Sequence, residues 1–513
     1  MMTFQTVLMI AFLALTSALA AAPATGRATI YPAPKGEPAS EDYQVFVNGK
    51  QVFCYTSFRY DTVSKQTIVG RPVSPLSFCY FDHEGPVDVE VRFLGGLKKA
   101  GIDTSKVVVR PLARDIRPKV QDGRIRFRLD RPGPLSVEPG GSLQHPLHIF
   151  ANPPEKDVPD PKDPNVLYYG PGIHELREID IKSGQTVYIA GGAIVYLKPL
   201  PKEKLENKHE AYGLDVYWTS GLFTSTRQKK VTVRGRGILC GRRALDQRQR
   251  GHLAKFEFVE DLTVEGIIIR ESPVWSLNMV NCKRVKISNV KVIGHFVNND
   301  GIVIGGTSDA LVEDCFSHNA DDSLEIKVWI PQRNVTFRNC VVWNDIGGSF
   351  GLFHECGAEL ENVLFENCTV IHSTDDSSVC PVVGLKVTGA GNVHNVRFEN
   401  ITIEDVTSKR RPALKVINNW DDWHMDCPTK PGSPYELLSP PKRETPYATI
   451  RDVVFKNVRV LDCKNQDVAL ISDGAGSPIE GIVFDNVTIA GKRLVPDDPR
   501  IKKNQWVRDV KFP

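Results

Sequence analysis

The sequence predicts an all-β protein, a parallel β-helix preceded by a β-sandwich. Three observations carry this. Short runs alternating Val, Ile and Thr with polar residues recur between Gly, Asn and Asp, and helix-favouring patterns are scarce. From Leu167 onward one phrase, apolar-x-apolar-x-Asn/Gly/Asp, keeps returning. Residues 26 to about 155 also read as short strands, but without that repeat.

The chain begins with an apolar run, Val7 to Leu15, followed by the small residues Ala18-Leu19-Ala20. This is the pattern of an export signal over residues 1–22, cleaved near Ala20 or Ala22, and it is too short to span a bilayer. The expected location is secreted or periplasmic, with no membrane attachment after cleavage. A net charge of +3 over 513 residues, with Lys and Arg interspersed among acids, gives no support for a nucleic-acid partner. The 11 Cys include no Cys-x-x-Cys pair. Cys315, Cys340 and Cys368 each follow the turn residue of the repeat, as a stacked interior column of small hydrophobes would. Cys54 and Cys79 could pair or stay free.

In the first domain, residues 26–155, Tyr43 to Phe53 reads as two strands around Asn48-Gly49, the dipeptide a type I′ turn favours. Further strands are expected at Val87–Val91 and Ile125–Leu129. A proline-rich stretch from Pro153 to Pro164 then marks a stiff connection.

The solenoid is expected over residues 165–513. Its turn residue advances from Gly266 to Asn289, Asp314, Asn339, Asn367 and Asn400, in steps of 23, 25, 25, 28 and 33 residues. Such a period, with Asn at one corner, fits coils that bury their apolar faces only by stacking, with the Asn side chains forming a hydrogen-bonded ladder. The ladder would place Asn367, Asn400 and Asn486 in the core, which argues against glycosylation of their Asn-x-Thr sequences. The 57-residue step to Asn457 contains an insertion with Trp420 and Trp423 among acids, candidates for a sugar-stacking wall.

Aligning the coils places Leu277, Ile302, Leu324 and Leu352 in one inward column. Two positions earlier stand Trp275, Asp300, Asp322 and Phe350, and one before those Asn299, Asp321 and Ser349. Coils stack about 4.8 Å apart, so Asp300, Asp321 and Asp322 should cluster on one face, provided the turns break the strand alternation. Three carboxylates that close cannot all ionise cheaply, and diverging pKa values are what an acid and a base working at one pH require.

Asn299-Asp300-Gly301 and Asp321-Asp322, in a repeating solenoid that also contains Ser272-Pro273-Val274-Trp275-Ser276-Leu277, resemble the polygalacturonases and the related dextranases. The resemblance covers about 165 to 513. It implies a right-handed β-helix and inverting hydrolysis of glycosidic bonds in a polysaccharide or oligosaccharide, with Asp300, Asp321 and Asp322 as acid and base. An N-terminal β-sandwich is similar to the dextranase branch. The Gly-His-Gly of polygalacturonases reads Ser349-Phe350-Gly351 here, and their Arg-Ile-Lys reads Gly384-Leu385-Lys386. Both departures point away from a galacturonan. The coil spacing gives a short carboxylate pair, whereas inverting enzymes separate theirs by about 6.5–9.5 Å.

Around the acids, Asn299, Glu325, Lys327, His354 and Lys386 are expected to meet substrate, with Trp420 and Trp423. His295 and His318 flank the same coils and would line the cleft with His354. No chelating spacing stands out, so neither metal nor cofactor is expected. Two other classes fit the same residues. A polysaccharide lyase would hold Ca²⁺ on the acids and yield unsaturated products, and a non-catalytic carbohydrate-binding solenoid would tolerate loss of Asp322.

Overall fold

The computed structural model describes residues 25–211, 213–374, 380–418, 448–472, 474 and 476–513. The expected export signal, Trp420 and Trp423 lie outside the described residues.

Two sheets face each other at the N-terminal end. One runs Lys50–Val52, Tyr43–Val47, Val87–Phe93, Arg124–Leu129 and Val120–Gln121 in spatial order. Its inward residues, such as Val45, Val89, Val91 and Ile125, are buried against the second sheet, which contains Arg71–Glu84, Leu147–Asn152 and Gly133–Pro139. Asn48 and Gly49 take φ of 47° and 77°, the paired left-handed conformation of a type I′ turn. Cys54 and Cys79 are both buried and free.

From Val166 the chain winds as a right-handed parallel β-helix. Among the described residues it forms three long sheets, of twelve, twelve and eleven strands. The first runs from Val166–Tyr169 to Val507–Lys511, the second from Gly172–Leu176 to Lys492–Arg493, and the third from Ile179–Asp180 to Ile501–Lys503. No coil can bury its own apolar side, so the core is a set of columns shared between coils. On the first sheet Phe337, Phe365, Phe398, Phe455 and Phe484 stack ring on ring, with centroids 4.7, 5.0, 4.9 and 5.4 Å apart. Cys315, Cys340 and Cys368 are buried in the same core.

The asparagine ladder is present, but on the outside. Asn339, Asn367, Asn400 and Asn486 are exposed at a left-handed corner; Asn339, Asn400, Asn457 and Asn486 each donate to the residue one coil back, and Asn367 accepts from Asn400. A positive φ needs a polar turn residue, and that corner lies beyond the apolar columns, so the expected burial does not hold. A second ladder, Asp309, Asn334, Asn362 and Asn395, runs along bulges in the strands of the first sheet.

The second sheet carries the sandwich. Tyr55, Phe78, Tyr80 and Phe150 pack on Ile238, Ile268, Ile293, Phe316 and Trp343. Charges are buried with them: Arg59 reaches Asp345 at 2.7 Å, and Arg236 donates from Nε to both Asp82 oxygens at 3.0 Å. His318 bonds both His148 of the sandwich and Asp345, while His295 packs edge-on against Phe58. Both histidines therefore belong to the domain junction and not to the cleft. His318 lies in a strand of the second sheet and His295 two residues beyond one, and only the sandwich's position reveals what covers them.

On the third sheet Leu277, Ile302, Leu324 and Phe350 are in register and buried. The expected Leu352 pairs one step along, with Ile326. The loop before Phe350–Cys356 is two residues shorter than the alignment assumed, and Phe350 fills the slot by packing on Phe365. The neighbour of Asp322 on the following coil is consequently Gly348, whose backbone N–H meets Asp322 Oδ1.

Candidate active site

Asp300 and Asp322 sit two residues ahead of the paired strands Ile302–Gly305 and Leu324–Val328. The ladder extends back to them, because the Gly301 N–H donates to Asp322 O at 2.8 Å. Gly301 is needed at this approach: a Cβ there would stand 2.3 Å from Ser323 O. The turns break the alternation, so both carboxyls lie with Glu325 on the side opposite the inward Leu324. One oxygen from each of Asp300, Asp322 and Glu325 lies within 4.8 Å of the others.

A column of buried amides holds these turns. Asn299 Nδ2 donates to Ser272 O at 2.9 Å and Ser276 Oγ at 3.1 Å. Asn319 Nδ2 donates to the carbonyls of Asn299, Asp321 and Asp322 at 2.9, 2.7 and 3.0 Å. Asn344 Nδ2 reaches Asp321 O at 2.6 Å and Gly348 O at 3.1 Å. Each amide satisfies backbone groups that the turns leave unpaired. Asn319 and Asn344 were missed in the sequence, although their offset of one coil length was available as a signal.

Asp321 is half-buried. Its Oδ2 accepts the Asn298 N–H at 2.8 Å and its Oδ1 accepts the Asp322 N–H at 3.0 Å. Burial pushes the pKa of Asp300 well up, with the charges of Glu325 and Asp321 adding to it and Lys327 opposing. Burial, Glu325 and Asp321 do the same to Asp322, against Lys327 and the Gly348 N–H. Glu325 is raised as well, chiefly by burial. The set therefore carries a proton at a pH where ordinary carboxyls are ionised.

The residues expected to meet substrate are mostly engaged within the protein. Asn299 and Glu325 are 0% exposed. Lys327 is 4% exposed and stands 3.0 Å from Glu325 and 2.9 Å from Glu355, with its ammonium over the Trp275 ring at 5.0 Å. Asn299 and Glu325 are corrected to interior residues: Asn299 braces the turn through Ser272 and Ser276, and Glu325 is paired with Lys327, since a buried charge is kept only when paired. His354 contacts Cys380 Sγ at 3.2 Å, and Lys386 stands in register with Phe353 on the next coil; both are buried. Three clustered carboxylates are a donor set that a divalent cation could take, but the Lys327 ammonium already stands against them.

Two aromatics stand near the acids: Trp275, which the sequence aligns with Asp300, and Trp218, which the repeat does not mark. Trp275 is half-buried, stacked on Trp329 with centroids 6.3 Å apart, and its neighbour Ser276 donates its N–H to Asp300 O. Trp218 is 40% exposed at the end of a small added sheet, with Arg250 over its ring at 4.8 Å. Arg250 also donates to Asn298 Oδ1 at 2.6 Å, which links this wall to the turn that holds Asp321.

Residues 238–412 match the family model Glycosyl hydrolases family 28. A polygalacturonase of Gossypium barbadense is 21% identical over 238 residues, 46% of this chain and 53% of that protein. A dextranase of Arthrobacter globiformis is 22% identical over 341 residues, 56% of this chain and 50% of that protein. The chain spans between 33% and 53% of the length of the first curated relatives it matches. The solved structure of Dex49A from Penicillium minioluteum superimposes over 94% of this chain and 96% of its own, with a TM-score of 0.58 at 15% identity. The chain is thus similar to β-helix glycoside hydrolases of the polygalacturonase and dextranase type.

Proposed function

We propose that this protein is an exported glycoside hydrolase that cleaves a polysaccharide by acid/base catalysis with inversion. The observation that carries the reading is the convergence of Asp300 and Asp322, with Asp321 beside them, on adjacent coils. The apolar core and the buried amide column have no need of such a charge cluster. The family match and the similarity to polygalacturonases and a dextranase support the same reaction class.

Inversion needs a water between the base and the anomeric carbon, and carboxyls about 6.5–9.5 Å apart. Asp300 and Asp322 are closer than that, within 4.8 Å. They act together on one side of the bond, and Asp321, outside that set, is the opposing group. The aromatic faces of Trp275 and Trp218 supply stacking surface for sugar rings along the cleft. Among the named relatives the sandwich and the missing Gly-His-Gly favour the dextranase side, so a neutral glucan is the first substrate to try.

The test is release of reducing ends from dextran and from polygalacturonate, with the anomer of the first product followed by NMR. Parent protein should release reducing ends from one of them with inverted configuration, and Asp300→Asn and Asp322→Asn should abolish the release. Wild-type rates in either variant would refute the reading. Products absorbing in the ultraviolet, lost on addition of chelator, would establish a lyase instead.

A further inference from the structure

Glu325 stands at the centre of the acid cluster, yet it is sealed from solvent. Asp300 approaches it from the preceding coil, Asp322 from its own turn, Lys327 from its own strand, and Glu355 from the following coil. As ionised groups, Asp300 Oδ1 and both Glu325 oxygens lack an aligned hydrogen-bond donor, and Lys327 meets Glu325 Oε2 only as an ion-pair partner at 3.0 Å. Two facing carboxylates have acceptors and no donors. A single proton between Asp300 and Glu325 turns that repulsion into a hydrogen bond, and Lys327 then balances the remaining charge together with Glu355.

We propose that Glu325 is a positioning residue for the hydrolysis: it shares a proton with Asp300, fixes the rotamer and charge of that carboxyl, and leaves Asp322 as the ionised member of the pair. This rests on the reading given under Proposed function and goes beyond it, because Glu325 touches neither sugar nor water. Lys327, bridging Glu325 to Glu355, keeps the shared proton on the Asp300 side by favouring the ionised form of Glu325. Burial raises the pKa of all three cluster acids, in keeping with one retained proton.

The experiment compares the parent with Glu325→Gln, which preserves shape and removes one negative charge. Removing a like charge lowers the pKa values of Asp300 and Asp322, so the pH profile of kcat should move about one unit toward acid with KM little changed. A fall in kcat with no shift in the profile would mean a merely structural role and overturn the proposal. So would an unchanged enzyme.

A second measurement needs no substrate. Carboxyls with folded pKa values above their unfolded ones contribute stability that is complete below about pH 4 and lost as pH rises through the folded values. The parent's melting temperature should therefore fall as pH rises above about 4 through the raised values of the cluster. Glu325→Gln should flatten that slope, and the flattening should be smaller in an Asp300→Asn background, where the partner that shares its proton no longer titrates. Equal slopes in parent and Glu325→Gln would overturn the proposal even if no glycan is cleaved. Failure of Asp300→Asn to affect hydrolysis would sink the proposed function and leave this coupling standing.

Discussion

The Gly348 backbone N–H donates to Asp322 Oδ1 at 2.6 Å, so the turn of one coil holds the carboxyl of the coil before it. That bond orients Asp322 and favours its ionised form against the burial that opposes ionisation. Asp322→Asn keeps an oxygen for Gly348 and removes the charge. Turnover should fall about 10²–10⁴-fold, the usual range for a lost acid or base. Thermal unfolding at pH 7 should show no loss of stability, because a buried charge has also been removed. Steady-state kinetics beside a melting curve checks both.

The raised pKa values set the working range. Asp300 and Asp322 are pushed up by burial first and by Glu325 next. The acid limb of the kcat/KM profile should therefore lie above about pH 4, where free carboxyls titrate. A profile that stays flat down to pH 4 would contradict the cluster's role.

Trp275 presents a ring beside Asp300 and carries the Lys327 ammonium at 5.0 Å. Trp275→Ala should raise KM roughly fivefold, about 1 kcal/mol of stacking, with a smaller effect on kcat. Trp275→Phe should recover most of it. Equal losses in kcat and kcat/KM would place Trp275 in the transition state instead.

The junction between sandwich and solenoid depends on Arg59, 2.7 Å from Asp345 and 3.6 Å from Asp61. Burial pushes the pKa of Asp345 up, but the Arg59 charge and the His318 contact outweigh it and hold the carboxyl below the ordinary range. Arg59→Ala removes the guanidinium that offsets two buried carboxylates and should cost about 3–5 kcal/mol, read as a lower urea midpoint. Its signature would be a transition that splits in two, one for each domain.

Chelation should leave hydrolysis unchanged, because the charge that offsets the acids is the Lys327 ammonium. Overnight dialysis against EDTA followed by assay is sufficient. Loss of activity restored by Ca²⁺ would reassign the cluster.

The repeat, the Asn-Gly hairpin and the 22-residue step from Asp300 to Asp322 were legible because each rests on local periodicity. Ile302 does pair with Leu324, and the two acids do converge. What was not legible depends on what lies across a surface. His295 and His318 flank the same coils as the acids, and only the docked sandwich makes them junction groups. Lys327 and Glu325 alternate with inward Leu324 and Ile326 and so looked solvent-facing; neighbouring coils and Trp275 close over them. The shift from Leu352 to Phe350 arose in a loop whose length the repeat does not specify. The ladder itself was seen, but an H-bonded Asn column looks alike whether it faces core or water.

The exposed ladder has one further property. Asn367 and Asn400 are bonded across 33 residues of chain at 3.1 Å, and Asn400 and Asn457 across 57 residues at 3.0 Å. The rung height is thus indifferent to how much chain departs and returns between rungs. A lineage can lengthen or exchange the chain between rungs while the pitch that aligns Asp300 with Asp322 stays constant. New loops can then be spliced into an unchanged spine.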